Sequence, residues 1–123
     1  ARMKIYKDIS SINSTDKYIE FIKNTEGVYG ELPLDLLNLA KIGFIKNMCS
    51  ILGASKVIIK EKSSIVFADK DSISREIIEL TLKEYSEYVN FNFVSVPTIE
   101  FVGIDKSQIL DFLISYLQFI VSI

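Results

Sequence analysis

An α+β fold, with helices packed on a small and mainly antiparallel sheet, is what the punctuation of this chain predicts. Three observations carry that expectation. Apolar residues recur at three- and four-residue spacing as far as Leu52, and the period shortens to two just after Gly53. Two pairs of short β-rich runs then follow, each pair succeeded by a helical pattern. The resulting order is ααα-ββ-α-ββ-α. With 123 residues, 49% of them hydrophobic, the chain suits one core, so a single domain over 1–123 is expected.

From Met3 to Ile12, the residues Ile5, Tyr6, Ile9 and Ile12 make one helical face, with Lys4, Lys7 and Asp8 outward. Asn13 or Ser14 is placed to cap a second helix that aligns Tyr18, Ile22, Thr25 and Tyr29, and Gly27 and Gly30 are expected to end it. Pro33 suits the first turn of a third helix, where its missing N–H is no loss, and Gly53 stops it. Leu37, Ala40, Phe44, Met48 and Ile51 form one stripe of this helix and Ile42, Ile45, Cys49 and Leu52 another, so it should be the central buried helix.

After Gly53, Val57 and Ile59 alternate with Lys56, Ile58 and Lys60, and a second strand is expected from Ile65 to Phe67, with Glu61 to Ser64 as the turn between them. Asp69 to Ser72 supplies cap residues for a fourth helix carrying Ile73, Ile77, Leu80, Tyr85 and Tyr88. Phe91, Phe93, Ser95 and Pro97 alternate with Asn92, Val94 and Val96, and Ile99 to Val102 reads as their partner strand around Pro97-Thr98. The last helix has Asp105 as its cap, Gln108 three residues on, and Ile104 able to staple against Ile109.

Composition excludes much chemistry. The chain has no histidine, which removes the usual general base, the common zinc ligand and every Ser-His or Cys-His nucleophile pair. Neither GxxxxGK[ST] nor GxGxxG occurs. Asp69-Lys70-Asp71-Ser72 lacks the further ligands of a calcium loop and reads as helix capping. Glu76, Glu79, Glu84 and Glu87 read as a solvated helix face beside Arg75 and Lys83. A formal charge of -2 argues against a dedicated nucleic-acid binder. Lone Cys49 permits no intrachain disulfide and fits a reducing cytoplasm as a buried, inert thiol.

Ile109 to Ile123 is too short to span a membrane and is interrupted by Asp111 and Gln118, so no membrane role is expected. Lys56, Lys60 and Lys62 can line one side of the first strand, either touching phosphates or guarding a sheet edge. The six tyrosines sit mostly at helix-face spacing, which suits core packing with wet hydroxyl ends rather than base stacking. Phe119-Ile120-Val121 is expected to dock on the domain's own sheet. The chain opens Ala1-Arg2 with no charged-then-apolar leader, which suggests a piece of a longer protein.

One junction bears on function. Arg2 and Tyr6-Lys7, then Tyr29-Gly30-x-Leu32-Pro33, then Leu52-Gly53 followed by a strand and Phe67, resemble in order and spacing the C-terminal domain of bacterial transcription-repair coupling factor (Mfd), over essentially the whole chain. That family typically shows Arg-x-x-x-Tyr-Lys-Arg, then Asp-Arg-Phe-Gly-x-x-Pro, then a long helix closing in Leu-Gly. Here Asp8 replaces an arginine, Asn24 stands where glutamate is frequent, and Gly27-Val28 stands where Asp-Arg is usual.

The resemblance implies the C-terminal fragment of a larger ATP-driven DNA translocase that dislodges stalled RNA polymerase and recruits nucleotide excision repair. The ATP and magnesium belong to the upstream motor, and no cofactor or catalytic residue is expected in this domain. It implies a cytoplasmic regulatory module that packs on an N-terminal UvrB-like module, hiding the surface that recruits UvrA and restraining the motor. Its docking surface would be the second helix and the turn to Pro33, with Lys23, Glu26, Tyr29 and Glu31 as contact residues. The alternative is an accessory domain that contacts nucleic acid through the lysine row, in the same or another ATP-driven motor.

Overall fold

The computed structural model describes residues 7–60 and 62–121, and for Tyr29 the backbone alone. Three helices lead: α1, described over residues 7–10, α2 (Thr15–Tyr29) and α3 (Leu34–Ile51). A hairpin of β1 (Ala54–Ile58) and β2 (Ser64–Phe67) is followed by α4 (Arg75–Tyr85). A second hairpin of β3 (Val89–Asn92) and β4 (Thr98–Phe101) leads through a 3₁₀ turn, Lys106–Gln108, into α5 (Ile109–Val121). The order is the expected ααα-ββ-α-ββ-α, and every strand pairing is antiparallel.

Pairing of β2 with β4 joins the two hairpins into one four-stranded sheet, β1-β2-β4-β3. Residues paired across antiparallel strands share a face. Val57, Ile65, Ile99 and Phe91 therefore form one continuous apolar row, while Ile58, Ser64, Glu100 and Asn90 form a largely polar row on the opposite face. The apolar face receives the helices. α3 lies along β1 and α5, and α4 packs on α5 and β3. Ala40, Phe44, Ile45, Met48 and Cys49 of α3 meet Leu113, Tyr116, Leu117 and Ile120 of α5 in the core. At roughly 1.5–3 kcal/mol for each large apolar side chain, this helix pair carries much of the fold.

α1 approaches α3 closely because Gly43 has no side chain: a Cβ there would stand 2.6 Å from Ile9 Cγ2. Beside it, Asn47 Nδ2 donates to the carbonyls of Ile12 (2.6 Å) and Ser10 (3.3 Å), satisfying acceptors that the end of α1 leaves open.

Several boundaries differ from expectation, each for a local reason. Gly27 lies inside α2, which ends instead at Gly30, where φ is 79° and the N–H donates to Glu26 O at 2.8 Å. Pro33 is the N-cap of α3 rather than its first-turn residue. Ile51 closes α3 at 56% exposure, outside the buried stripe assigned to it. Asp69 does not cap α4: its carboxylate accepts from the N–H groups of Asp71 and Ser72 and from Ser72 Oγ, each at 3.0 Å, and so closes a preceding turn. The cap of α4 is Ser74, whose hydroxyl accepts from Ile77 N–H.

α4 stops at Tyr85, short of Tyr88. β3 ends at Asn92, because its side-chain oxygen accepts from Val94 N–H at 3.0 Å and turns the chain, so the alternation up to Pro97 lies in a loop. Asp105 opens the 3₁₀ turn without the expected side-chain cap bond. Tyr116 is no wet-ended tyrosine. It is fully buried, and its hydroxyl shares a 2.7 Å hydrogen bond with Thr81. Expectations for Met3, Lys4, Ile5, Tyr6 and Glu61 fall outside the described residues.

Candidate functional site

α2 turns one face to the core and the opposite face to solvent, and the pattern of side chains explains why. Tyr18, Phe21, Ile22 and Thr25 recur at three and four residues and point inward. Phe21 is buried, and the Tyr18 ring stacks on Phe44 with centroids 4.9 Å apart. Ser14 fixes the start of the helix, its hydroxyl accepting from Lys17 N–H at 3.2 Å. With the inward face held by aromatic rings, the outward register of α2 is determined.

Lys23 and Glu26 lie three residues apart on that exposed face, and Glu31 is exposed in the turn beyond Gly30. The Tyr29 side chain lies outside the described residues. Among the described residues, Lys23, Glu26 and Glu31 have no ion-pair partner; the two salt bridges there are Lys41–Asp111 at 2.8 Å and Arg75–Glu79 at 3.0 Å. The turn itself is stiff. Leu32 is buried as its anchor, Pro33 has φ −57°, and Leu37 N–H donates to Pro33 O at 3.0 Å. Val28 and Leu34 flank it at 73% and 69% exposure. Sequence patterning missed these two apolar positions and the inward Phe21.

On the other flank of α2, a cleft of about 380 Å³ separates Lys17, Glu20 and Asn24 from Asp8 and Ser11 at the end of α1. Asp8 and Asn24 thus line one cleft, and among the described residues neither joins an ion pair.

The predicted lysine row is not a strand feature. β1 ends at Ile58, so Lys56 alone stands on the strand, and Lys60 and Lys62 lie in the following loop, all three exposed. β1 is nevertheless an edge of the sheet, as the edge reading requires. Among the described residues, no group of three or more His, Cys, Asp or Glu side chains is placed to hold a metal ion. Burial pushes the Cys49 thiol up to about 12, which keeps it protonated and unreactive near neutrality. Burial also raises the Tyr18 phenol, helped by the negative charge of Asp111. Among the described residues, no helix is long and apolar enough to cross a membrane.

Comparison with known proteins bears on the family and the fold. The family model of the TRCF domain matches residues 1–78, from α1 into the first turn of α4. A crystal structure of the C-terminal domain of transcription-repair coupling factor is similar in fold, with a TM-score of 0.74 at 19% identity over 98% of this chain and 78% of that chain. No curated protein matches. The sequence likeness therefore resides in the three leading helices and the first hairpin, and the likeness in fold extends through the second hairpin and α5.

Proposed function

The chain belongs to the TRCF domain family, and from that membership we propose that residues 1–123 form a non-catalytic, autoinhibitory interaction domain at the C-terminal end of a larger cytoplasmic protein. The parent is an ATP-driven DNA translocase, with ATP and magnesium in its motor, that displaces stalled RNA polymerase from damaged DNA and recruits excision repair through UvrA. In the resting state the domain docks on the N-terminal UvrB-like module. The outward face of α2 and the turn to Pro33 form the contact, with Lys23, Glu26, Tyr29 and Glu31 as its polar members.

The observation that carries this reading is an exposed, rigidly presented charged face without internal ion-pair partners among the described residues, ending in a stiff turn flanked by exposed Val28 and Leu34. Such a surface suits an interface with a small apolar centre and a charged rim. The experiment is calorimetric titration of the domain into the isolated N-terminal module. Saturable binding is expected, weakened about tenfold by Glu26→Lys combined with Val28→Asp. Absence of association, both in trans and in a linked form, refutes the reading.

A further inference from the structure

We propose that the free edge of β1 is a second docking site, and that it accepts an acidic, extended peptide segment as an added strand. β1 is the outermost strand next to β2, so among the described residues one side of its backbone has no strand partner. Such an edge offers N–H and C=O groups to an incoming chain. The bulge between Ala54 and Lys56 leaves Lys56 to Ile58 in regular register, and Ser55 Oγ turns inward to donate to Val66 O at 3.0 Å.

Two further features say what kind of segment fits. Between β1 and the last turns of α3 lies a cleft of about 340 Å³, lined by Lys46, Cys49 and Ser50 of the helix and by Ser55, Lys56 and Val57 of the strand. It thus has a lysine on each wall. Lys46 belongs to the helix that covers the apolar face of the sheet, while Lys56 shares the row of Val66, Thr98 and Asn92 on the opposite face. An added strand alternates its side chains between these two faces, so carboxylates on both sides of it would each meet a lysine.

Lys60 and Lys62, both exposed, extend the positive charge just past the strand end. Among the described residues none of these four lysines has an ion-pair partner, although the whole chain carries a formal charge of -2. Guarding an edge against aggregation explains Lys56. It does not explain Lys46, which comes from a helix.

A second copy of the chain is a poor occupant, since edge-to-edge pairing of β1 with itself brings like charges together. Nucleic acid cannot continue the alternating N–H and C=O ladder of a strand edge as an added strand does, and among the described residues no aromatic side chain lines the cleft for base stacking. The regular edge is short, so the complex is weak and transient. It lies near the C-terminal end of α3, away from the α2–α3 turn, and is independent of the surface assigned to the UvrB-like module.

The test is fluorescence polarisation of a labelled peptide of about eight residues, with glutamates on both faces of its extended form and valines between them. Saturable binding is expected, with amide shifts confined to residues 54–58 in heteronuclear NMR. Lys46→Glu with Lys56→Glu should weaken binding about tenfold, and the milder Lys46→Gln with Lys56→Gln should weaken it less while keeping the fold. N-methylation of alternate peptide amides should abolish binding. No saturable binding, binding unchanged in both lysine variants, indifference to N-methylation, or preference for an oligonucleotide of equal charge would each overturn the proposal.

Discussion

Replacing glycine by alanine at two helical positions should change stability in opposite directions. Gly27 and Gly43 both lie inside helices, α2 and α3, and neither has a positive φ. Alanine is favoured over glycine in a helix interior by about 1 kcal/mol, somewhat less near a helix end. At Gly27 a new Cβ meets nothing within 4 Å, so Gly27→Ala should gain roughly 0.5–1 kcal/mol. At Gly43 the same atom stands 2.6 Å from Ile9 Cγ2, far inside ordinary contact.

Ile9 cannot easily yield. It is buried at 6% exposure, and its β-branch holds χ1 stiffly. Overpacking of this kind costs roughly 1–3 kcal/mol. Subtracting the helix gain leaves Gly43→Ala about 1 kcal/mol less stable than the parent chain, or a few degrees in Tm. Ile9→Leu removes the branching methyl and should recover most of the loss in the double variant. Urea denaturation followed by far-UV circular dichroism measures all four proteins. If Gly43→Ala stabilises as much as Gly27→Ala, α1 does not approach α3 as described.

Two other outcomes follow from the Thr81–Tyr116 pair. Thr81→Val leaves the buried phenol without its partner and should cost about 1–3 kcal/mol, and the double variant with Tyr116→Phe should lose less than the sum of the singles, read in a denaturation cycle. Burial raises Tyr116 from 10.0 to about 12 despite the Thr81 bond, and raises Cys49 from 9.0 to about 12. Both folded values exceed the unfolded ones, so the unfolded chain releases these protons first. Stability is therefore full below about pH 9 and should fall as pH rises toward 12, and Tyr116→Phe should flatten the fall above pH 10. An unchanged alkaline slope in that variant would remove Tyr116 as its source.

Legibility in the sequence followed the range of the interaction. The helix and strand order, a cap at Asn13 or Ser14, a stop in the Gly27–Gly30 stretch and most of the buried stripe of α3 depend on residues at most a few positions apart, and spacing exposes them, although only the structure chose Ser14 and Gly30. The cap of α4 was misplaced because Asp69 and Ser74 carry equally good capping side chains, and only the closed turn before the helix separates them. Of the candidate site, Lys23, Glu26 and Glu31 were legible as polar residues on an exposed surface. The apolar flank of Val28 and Leu34 was not, because exposure of an apolar residue depends on what packs nearby.

What the amino-acid order determined by itself is the class of fold, its sequence of elements and the absence of histidine chemistry, since these rest on local periodicity and on residue types present or missing. Tertiary structure alone decided the strand order β1-β2-β4-β3, the burial of the Tyr116 hydroxyl against Thr81, the Asn47 bonds to the end of α1 and the two-lysine cleft beside β1. Each joins residues well separated along the chain. Nothing in local spacing encodes such meetings; they are set when the apolar face of the sheet and the α3–α5 pair close on one another.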